Sequence, residues 1–301
     1  MKPEISLAEV ELVKSLGVEI RCGVRVGRDV TVAQLEHDFD ALFLGVGLGS
    51  ATRLRIPGEE LPEVVDALDY IAKIHTDPLH QIPTGRRVAV IGAGNTAIDA
   101  ATQAHRLGAE SVAVIYRRNE GDMSAYDFEY ELAKNDGAQF VFRAVPIEVI
   151  ASQGHVSGLR LVHTRLDADG VVELVPGTEF VEPCDLVLKA VGQEKQAQLL
   201  HELFPSLTLD DRGVIAHDPR SGQTNVPHLF TGGDCANGGR EVVNAVGEGK
   251  KAAHGIHFFL TNETAAPLVQ PSRLGARTGP AGSGLLHPIR AHELEAALQK
   301  K

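Results

Sequence analysis

Residues Arg86–Arg118 read RRVAVIGAGNTAIDAATQAHRLGAESVAVIYRR. An apolar run, Val88-Ala89-Val90-Ile91, ends at Gly92-Ala93-Gly94-Asn95-Thr96-Ala97. An Ala-rich helical pattern follows until Gly108 stops it, and a second apolar run covers Val112 to Tyr116. Strand, glycine turn, helix, strand is the layout of a dinucleotide-binding βαβ unit. In that layout Gly92 makes the tight turn, Gly94 lets backbone approach a pyrophosphate, and the small Ala97 lets the helix lie close to the strand. The first helical turn, with Asn95 and Thr96, offers N–H groups and a positive dipole end to phosphates. A bare G-x-G-x-x-A is a weak signal, and an ordinary glycine turn in an α/β core is the competing reading. Two strands and a helix in register around it make the signal specific.

The end of the second strand bears on which nucleotide is bound. NAD-preferring sites place Asp or Glu there to accept hydrogen bonds from the ribose hydroxyls. This chain has Tyr116-Arg117-Arg118. Two guanidiniums suit a 2′-phosphate, because Arg pairs with phosphate oxygens through parallel N–H bonds. The competing reading is a solvated pair at a strand end; NADP(H) is the expected coenzyme.

Composition narrows the class. At 301 residues the chain is long enough for two domains with cores of their own. Hydrophobic and charged contents of 43% and 23% are ordinary for a globular protein. A formal charge of −11 argues against non-specific nucleic-acid binding and against an anionic membrane surface. No apolar run approaches the roughly 20 residues of a membrane-spanning helix, and Met1-Lys2-Pro3-Glu4 does not open a signal peptide. The three cysteines, Cys22, Cys184 and Cys235, lie far apart, which excludes a C-x-x-C pair and an iron–sulfur motif and fits a reducing cytoplasm. Thirteen histidines show no ligand spacing, so no metal site is expected.

Along the chain, Ser6 to Glu9 fits a capping box for a helix stopped by Gly17, and Val18 to Cys22 alternates as a short strand. Asp40 to Gly47 reads as a buried strand of a parallel sheet. Ile56-Pro57-Gly58-Glu59 is a rigid connector, and Pro62 opens a helix to about Ala72. Ser124 is expected to cap a helix to about Asn135, followed by a strand over Gln139 to Arg143. Leu159 to Thr164 and Val171 to Val175 form a hairpin around Asp169-Gly170. Cys184 to Val191 is a buried strand, Val226 to Asp234 a strand running into a Gly-Gly-Asp turn, and Val242 to Leu260 a long helix. The domains expected are 81–190 for NAD(P)H and a partial FAD domain from 1–80 with 191–260. Residues 261–301 read as a flexible tail that includes a short amphipathic segment, His292 to Gln299.

Four motifs in order carry a family resemblance: ALFLGVGLGSATRLRIPGE (Ala41–Glu59), VIGAGNTAID (Val90–Asp99), VIYRRNEGDMSA (Val114–Ala125) and FTGGDCANGGREVVNAVGEGKKAA (Phe230–Ala253). Over residues 3 to 260 the chain resembles the flavin-dependent NAD(P)H oxidoreductases that include the glutamate synthase small subunit and the NAD(P)H-oxidising part of dihydropyrimidine dehydrogenase. The resemblance implies an α/β protein of two interleaved Rossmann-like domains, the NADPH domain inserted into a partial FAD domain. It implies that Gly233-Asp234 sets a carboxylate beside the flavin ribityl or pyrophosphate. It also implies that the helix starting at Glu241-Val242-Val243 points its N-terminus at the flavin, where negative charge develops on reduction. Gly47, Gly192, Gln193 and the Asp234 turn are then expected to bring nicotinamide and flavin together.

Family members carry an additional Gly-rich βαβ unit for the ADP half of FAD, and only one nucleotide fingerprint is present here. The missing half is therefore expected from a separate chain, or the chain is a truncated piece. The leading expectation is an electron-input subunit that passes hydride from NADPH to FAD and single electrons to an iron–sulfur or FMN-containing catalytic partner. The C-terminal motif leans slightly toward the dihydropyrimidine dehydrogenase type, with the glutamate synthase small subunit as the alternative. An NADP(H)-binding module without turnover is the reading from another class. The cofactors carry the chemistry, so no catalytic side chain is assigned. A thioredoxin-reductase-like dithiol is discounted, because no two cysteines are near in sequence.

Overall fold

The computed structural model describes residues 3–264. The chain opens with α1 (Pro3–Ser15), α2 (Val32–Asp38) and β1 (Leu42–Leu44). Next come β2 (Val64–Asp66), α3 (Ala67–Thr76), β3 (Arg87–Ile91), α4 (Asn95–Arg106), β4 (Ser111–Tyr116), α5 (Asp127–Asn135) and β5 (Gln139–Phe142). Then follow β6 (Ala144–Ser152), β7 (His155–Leu166), β8 (Val172–Leu174), β9 (Phe180–Glu182) and β10 (Leu186–Lys189). The order closes with α6 (Ala197–Leu203), β11 (Leu229–Thr231), the short α7 (Asp234–Asn237) and α8 (Val242–Thr261).

These elements form two compact units, one inserted into the other along the chain: Leu48–Lys195 is the inserted unit, and the other draws on residues up to Gly47 and from Gln196 onward. The inserted unit begins at Leu48, whereas the sequence reading opens its NAD(P)H domain at residue 81. Residues 48–80 belong to the inserted unit because β2 pairs in parallel with β10, Val65 opposite Leu188, and Tyr70 of α3 is fully buried in the same core.

The inserted unit is built on an all-parallel sheet in the order β2-β10-β3-β4-β5. Its central strands are apolar on both faces, as a sheet covered on two sides requires. Val88, Val90, Val112, Val114, Leu186 and Leu188 pack toward α3 and α4. Ala89, Ile91, Ile115 and Val187 pack toward the antiparallel layer of β6 and β7, through Val149, Leu159 and Leu161. Each fully buried Val, Leu or Ile contributes about 1.5–3 kcal/mol, so this two-faced core is the main source of the unit's stability. The α4 residues facing the sheet are small, Ala97, Ala100, Ala101 and Ala104 among them, so the helix lies close to it. His105 and Arg106 in its last turn complement the negative end of the helix dipole.

The other unit has a two-stranded parallel sheet, β1 with β11, packed with Leu200, Phe204, Leu207, Ile215 and Cys235. A two-stranded sheet is marginal by itself. Large apolar side chains stay exposed in this unit: Leu7, Leu12 and Leu16 around α1, Phe43 of β1, and Val242, Val243 and Val246 of α8.

Several local expectations are corrected. Val18 to Cys22 is an exposed irregular segment, since among the described residues no strand pairs with it to satisfy its backbone. The first helix starts at Pro3, so Ser6 lies within it rather than at its cap. The helix expected from Pro62 is a strand and then a helix: Asp66 ends β2, and its side chain accepts from Leu68 N at 2.9 Å to cap α3. Tyr126, not Ser124, precedes α5. Strand β6 was not anticipated. The expected tail lies outside the described residues from 265 onward, His292 to Gln299 included.

Candidate functional site

In the parallel sheet the chain leaves β3 toward β4 and β5 on one side and returns as β10 on the other. The carboxyl end of β3 is therefore the topological switch point, where open α/β sheets bind ligands. Gly92 sits there with φ +128, and its N–H donates to Ile115 O at 3.0 Å. A Cβ at Gly92 would run into the carbonyl oxygen of Ala190, just beyond β10. The glycine is thus required by the close approach of the neighbouring strand as well as by its backbone angle.

Gly94 is the N-cap of α4, in an extended conformation without a side-chain cap. A Cβ there would lie 3.3 Å from Ser124 Oγ. The Asn95 carboxamide oxygen accepts from Tyr126 N at 3.1 Å, and Ala125 N donates to Ala93 O at 3.2 Å, so the segment after β4 folds back over the turn. Asn95 therefore braces the loop. Thr96 is half-buried in the first turn, and Ala97 is fully buried against the core. The first turn of α4 presents N–H groups that have no acceptor within the helix, together with the positive dipole end. A glycine cradle that a Cβ would fill, ahead of an uncapped helix start, fits a pyrophosphate.

Arg117 and Arg118 follow β4 at its carboxyl end. Arg117 is exposed and its carbonyl accepts from Thr164 Oγ1 at 2.7 Å. Arg118 is half-buried, and its Nε is buried with no hydrogen-bond partner among the described residues. A buried guanidinium N–H without an acceptor is costly unless a ligand supplies one. The two arginines line a cavity of about 280 Å3 together with Asn119, Arg143, Thr164 and Arg165. The residues present therefore fit a phosphorylated coenzyme. Asn119, Arg143 and Thr164 escaped the sequence reading; only the position of Arg143, at the end of the strand beside β4, could have pointed to it.

Two crossing segments bound the inserted unit. Gly49 N donates to Glu194 O at 2.8 Å, Glu194 N to Ser50 O at 2.9 Å, and Thr52 N to Gly192 O at 2.9 Å. Gly192 has φ +92 with open space around it. The Gln193 side-chain amide donates to Gly49 O at 2.8 Å, so part of its hydrogen-bonding capacity ties the two segments together. Gly47, at φ +66, closes the other unit's β1 turn, and its carbonyl accepts from Gln196 Nε2 at 3.4 Å.

Near this crossing lies a buried ion pair that the sequence did not announce. Glu59 is 7% exposed and accepts from Lys189 Nζ at 2.9 Å, Leu54 N at 2.8 Å and Arg55 N at 2.7 Å. Burial pushes the Glu59 pKa up, but Lys189 and the two backbone N–H groups outweigh it and hold the carboxyl below its ordinary value. A depressed carboxylate stabilises the fold above its unfolded pKa of about 4.3, and that contribution is lost as pH falls through the lower folded value. Glu59→Gln is therefore expected to lower urea-unfolding stability by about 2 kcal/mol at neutral pH, with the difference from wild type shrinking below about pH 4. A pH-independent difference would contradict this role.

In the other unit, Gly233 adopts φ +75 at the end of β11, and Asp234 opens α7. Asp234 Oδ1 accepts from Arg240 N at 3.1 Å, so the carboxylate also holds the turn leading to α8. Glu248, at the end of the second turn of α8, accepts from Gly233 N at 2.6 Å and from Asn237 Nδ2 at 3.0 Å, clamping the Gly-Gly-Asp turn to the helix. Glu241 is the N-cap of this 20-residue helix, and Val242 and Val243 stand 78% and 75% exposed in its first turn. A helix start with an adjoining apolar surface and a nearby carboxylate suits one part of a flavin dinucleotide.

The cysteines form no dithiol: all three are free, Cys184 and Cys235 are buried, and burial pushes the Cys184 thiol up to about 12, so it is inert. Among the described residues no cluster of potential ligands could hold a metal ion, and no helix is long and apolar enough to cross a membrane.

Comparison with known proteins gives this geometry a family. Residues 3–249 match the family model for pyridine nucleotide-disulphide oxidoreductases. The chain is 37% identical over 274 residues to the NADP(+)-dependent formate dehydrogenase subunit beta of Moorella thermoacetica, an alignment covering 89% of this chain and 38% of that protein. It is 38% identical over 264 residues to the glutamate synthase [NADPH] small chain of Halomonas elongata, covering 82% and 55%. The chain thus spans about half or less of the length of these relatives. Among solved structures, FprA from Mycobacterium tuberculosis (His57Gln mutant) superposes with a TM-score of 0.66 at 22% identity over 86% of this chain and 73% of that one, a likeness of fold. The chain belongs to the pyridine nucleotide-disulphide oxidoreductase family, oxidoreductases that bind FAD and NADP(H).

Proposed function

We propose that this chain is the NADPH-binding portion of an electron-input flavoprotein subunit. The carrying observation is the Gly92–Ala97 cradle at the switch point, followed at the next strand ends by Arg117 and by Arg118 with its partnerless buried Nε. The nucleotide pyrophosphate lies on the α4 N-terminus and the 2′-phosphate on the arginines. The Gly233-Asp234 turn and the start of α8 hold part of FAD. When bound, NADPH supplies an electron pair and the flavin can release it one electron at a time. The protein binds and orients them.

The type we favour is that of the glutamate synthase small chain or the formate dehydrogenase beta subunit, on the names of the relatives described above. The dihydropyrimidine dehydrogenase type, toward which the C-terminal motif leans, has no counterpart among those relatives. The electron acceptor is an iron–sulfur or FMN-containing catalytic subunit, since the relatives are themselves named as subunits or small chains. A further polypeptide segment completes the flavin site. The support is the two-stranded β1–β11 sheet with Phe43 exposed on it and the uncovered apolar residues of α1 and α8. The three free thiols favour a reducing compartment.

Native mass spectrometry of the purified protein tests the reading, with visible flavin absorbance in parallel. NADPH binding together with bound FAD, alone or with a partner chain, is the expected result. A colourless chain that binds NADPH with every partner present would reduce the function to a nucleotide-binding module. Replacing Asp234 with Ala is expected to cut flavin retention about tenfold or more, the loss of one or two hydrogen bonds to charge, while NADPH affinity stays within about twofold. Unchanged flavin content would remove Asp234 from the site.

A further inference from the structure

We propose that Arg143 closes the arginine-lined cavity as a third anion-binding side chain and so determines the coenzyme's specificity, selecting a sugar phosphomonoester, the 2′-phosphate of NADPH. The proposal rests on the reading of Arg117 and Arg118 given above and extends the site to a residue of a different strand.

Four observations converge. First, Arg143 follows β5 as Arg117 and Arg118 follow β4, and these strands are parallel neighbours, so all three residues stand at the same edge of the sheet. Second, Arg143 has φ +52, a left-handed conformation that L side chains rarely adopt. Its neighbours hold it there: Arg143 N donates to Arg118 O at 3.0 Å, Thr164 N donates to Arg143 O at 2.8 Å, and Arg143 Nε donates to Asn119 Oδ1. Backbone outliers fixed from several sides gather at binding sites.

Third, the charge is not compensated from within. Arg165, the fourth arginine of the cavity, is paired with Glu173 at 2.9 Å. Arg117, Arg118 and Arg143 have no carboxylate within ion-pair distance among the described residues. Three like charges around one cavity repel one another, and a dianion removes that repulsion. Fourth, Arg118 Nε is buried without an acceptor, and a phosphate oxygen would supply one. The cavity of about 280 Å3 equals the liquid volume of about nine waters, enough for a phosphate with the ribose edge that carries it.

Thr164 contributes by position. Its hydroxyl is spent on Arg117 O and its N–H on Arg143 O, so it sets the spacing of the two arginines from a third strand.

The test is calorimetric titration of the full chain with NADPH, NADH, 2′,5′-ADP, 5′-AMP and inorganic phosphate. Wild type is compared with Arg143→Asn, Arg143→Gly, Arg143→Lys and the double variant Arg117→Ala/Arg118→Ala. Asn tolerates the left-handed backbone and Gly adopts it freely, so folding is preserved in at least one variant. Arg143 is exposed, so solvent screens its charge as it does that of Arg117; the expected result is a loss of about 5- to 10-fold for NADPH and 2′,5′-ADP in the Asn and Gly variants, with NADH and 5′-AMP within about twofold. Lys should restore part of the loss, because it replaces the charge without the planar fork.

Wild-type NADPH affinity in both the Asn and Gly variants, beside a large loss in the double variant, would overturn the role of Arg143 and leave the Arg117–Arg118 reading intact. Equal losses for NADPH and NADH would overturn the specificity claim. Inorganic phosphate binding as tightly as 2′,5′-ADP would replace the sugar phosphomonoester with free phosphate as the ligand. Failure of wild type to bind either 2′-phosphorylated compound would overturn both readings together.

Discussion

Gly92→Ala is expected to lose about 4 kcal/mol of unfolding stability in the inserted unit and, with it, measurable NADPH binding. Two independent costs add. The backbone at φ +128 lies where a non-glycine residue is strained by roughly 1–3 kcal/mol. The new Cβ also meets the Ala190 carbonyl oxygen, a backbone atom in the segment directly following a central strand, and forcing an atom into such a packed place costs about 1–3 kcal/mol more. Relaxation is restricted on both sides, because Ala190 N is itself bonded to Ile91 O at 2.8 Å and Gly92 N to Ile115 O at 3.0 Å. Shifting either segment therefore disturbs the ladder of β10, β3 and β4. Urea unfolding of wild type and variant, followed by circular dichroism, measures the loss. A variant within about 1 kcal/mol of wild type would mean that the turn is not built around this approach. Gly94→Ala is milder, because its backbone is extended and the nearest atom is a serine hydroxyl that can swing away.

This contrast marks what the sequence could disclose. The β3–α4–β4 unit was legible because it is made of local patterns: a continuous apolar strand, glycines at fixed offsets, a helical alanine face and a glycine stop. The need for Gly92 was also legible, but not its partner, since Ala190 is almost a hundred residues away in sequence. Strand β6 stayed hidden for a physical reason. Pro146 interrupts the run and argues against a strand, yet β6 pairs on one side only, with β7, and its register shifts between Pro146 and Glu148. An edge strand with a bulge is where a proline is tolerated. The domain boundary failed for a similar reason, as the parallel pairing of Val64–Asp66 with Val187–Lys189 is a long-range contact between short segments.

In the site, Arg117 and Arg118 announced themselves by standing where a carboxylate was expected. Arg143 and Glu59 did not. Arg143 looks like any solvated strand end until its backbone angle and its bonds to Arg118 and Thr164 are known. Glu59 reads as a charged residue in a connector, and only the fold reveals that it is buried against Lys189.

The arginine pair carries the other large effect. In Arg117→Ala/Arg118→Ala, NADPH affinity is expected to fall by a few hundred-fold, about 3–4 kcal/mol, while NADH affinity changes by less than about threefold. The two residues should contribute unequally. Arg117 is exposed, so its attraction for a phosphate is screened by solvent and salt, and its single replacement should cost about tenfold or less and diminish at high ionic strength. Arg118 is half-buried with Nε already stripped of water, so a phosphate oxygen gains a bond there without a further desolvation cost. Most of the loss should therefore appear in Arg118→Ala. That variant should also melt no lower than wild type in the absence of nucleotide, because it deletes a buried donor that the fold leaves unsatisfied and one of three mutually repelling charges. Affinity measured at two salt concentrations, together with ligand-free thermal melts, separates these contributions. Equal losses for NADPH and NADH would show that the arginines hold the dinucleotide in general, and the preference for a 2′-phosphate would then have to arise elsewhere.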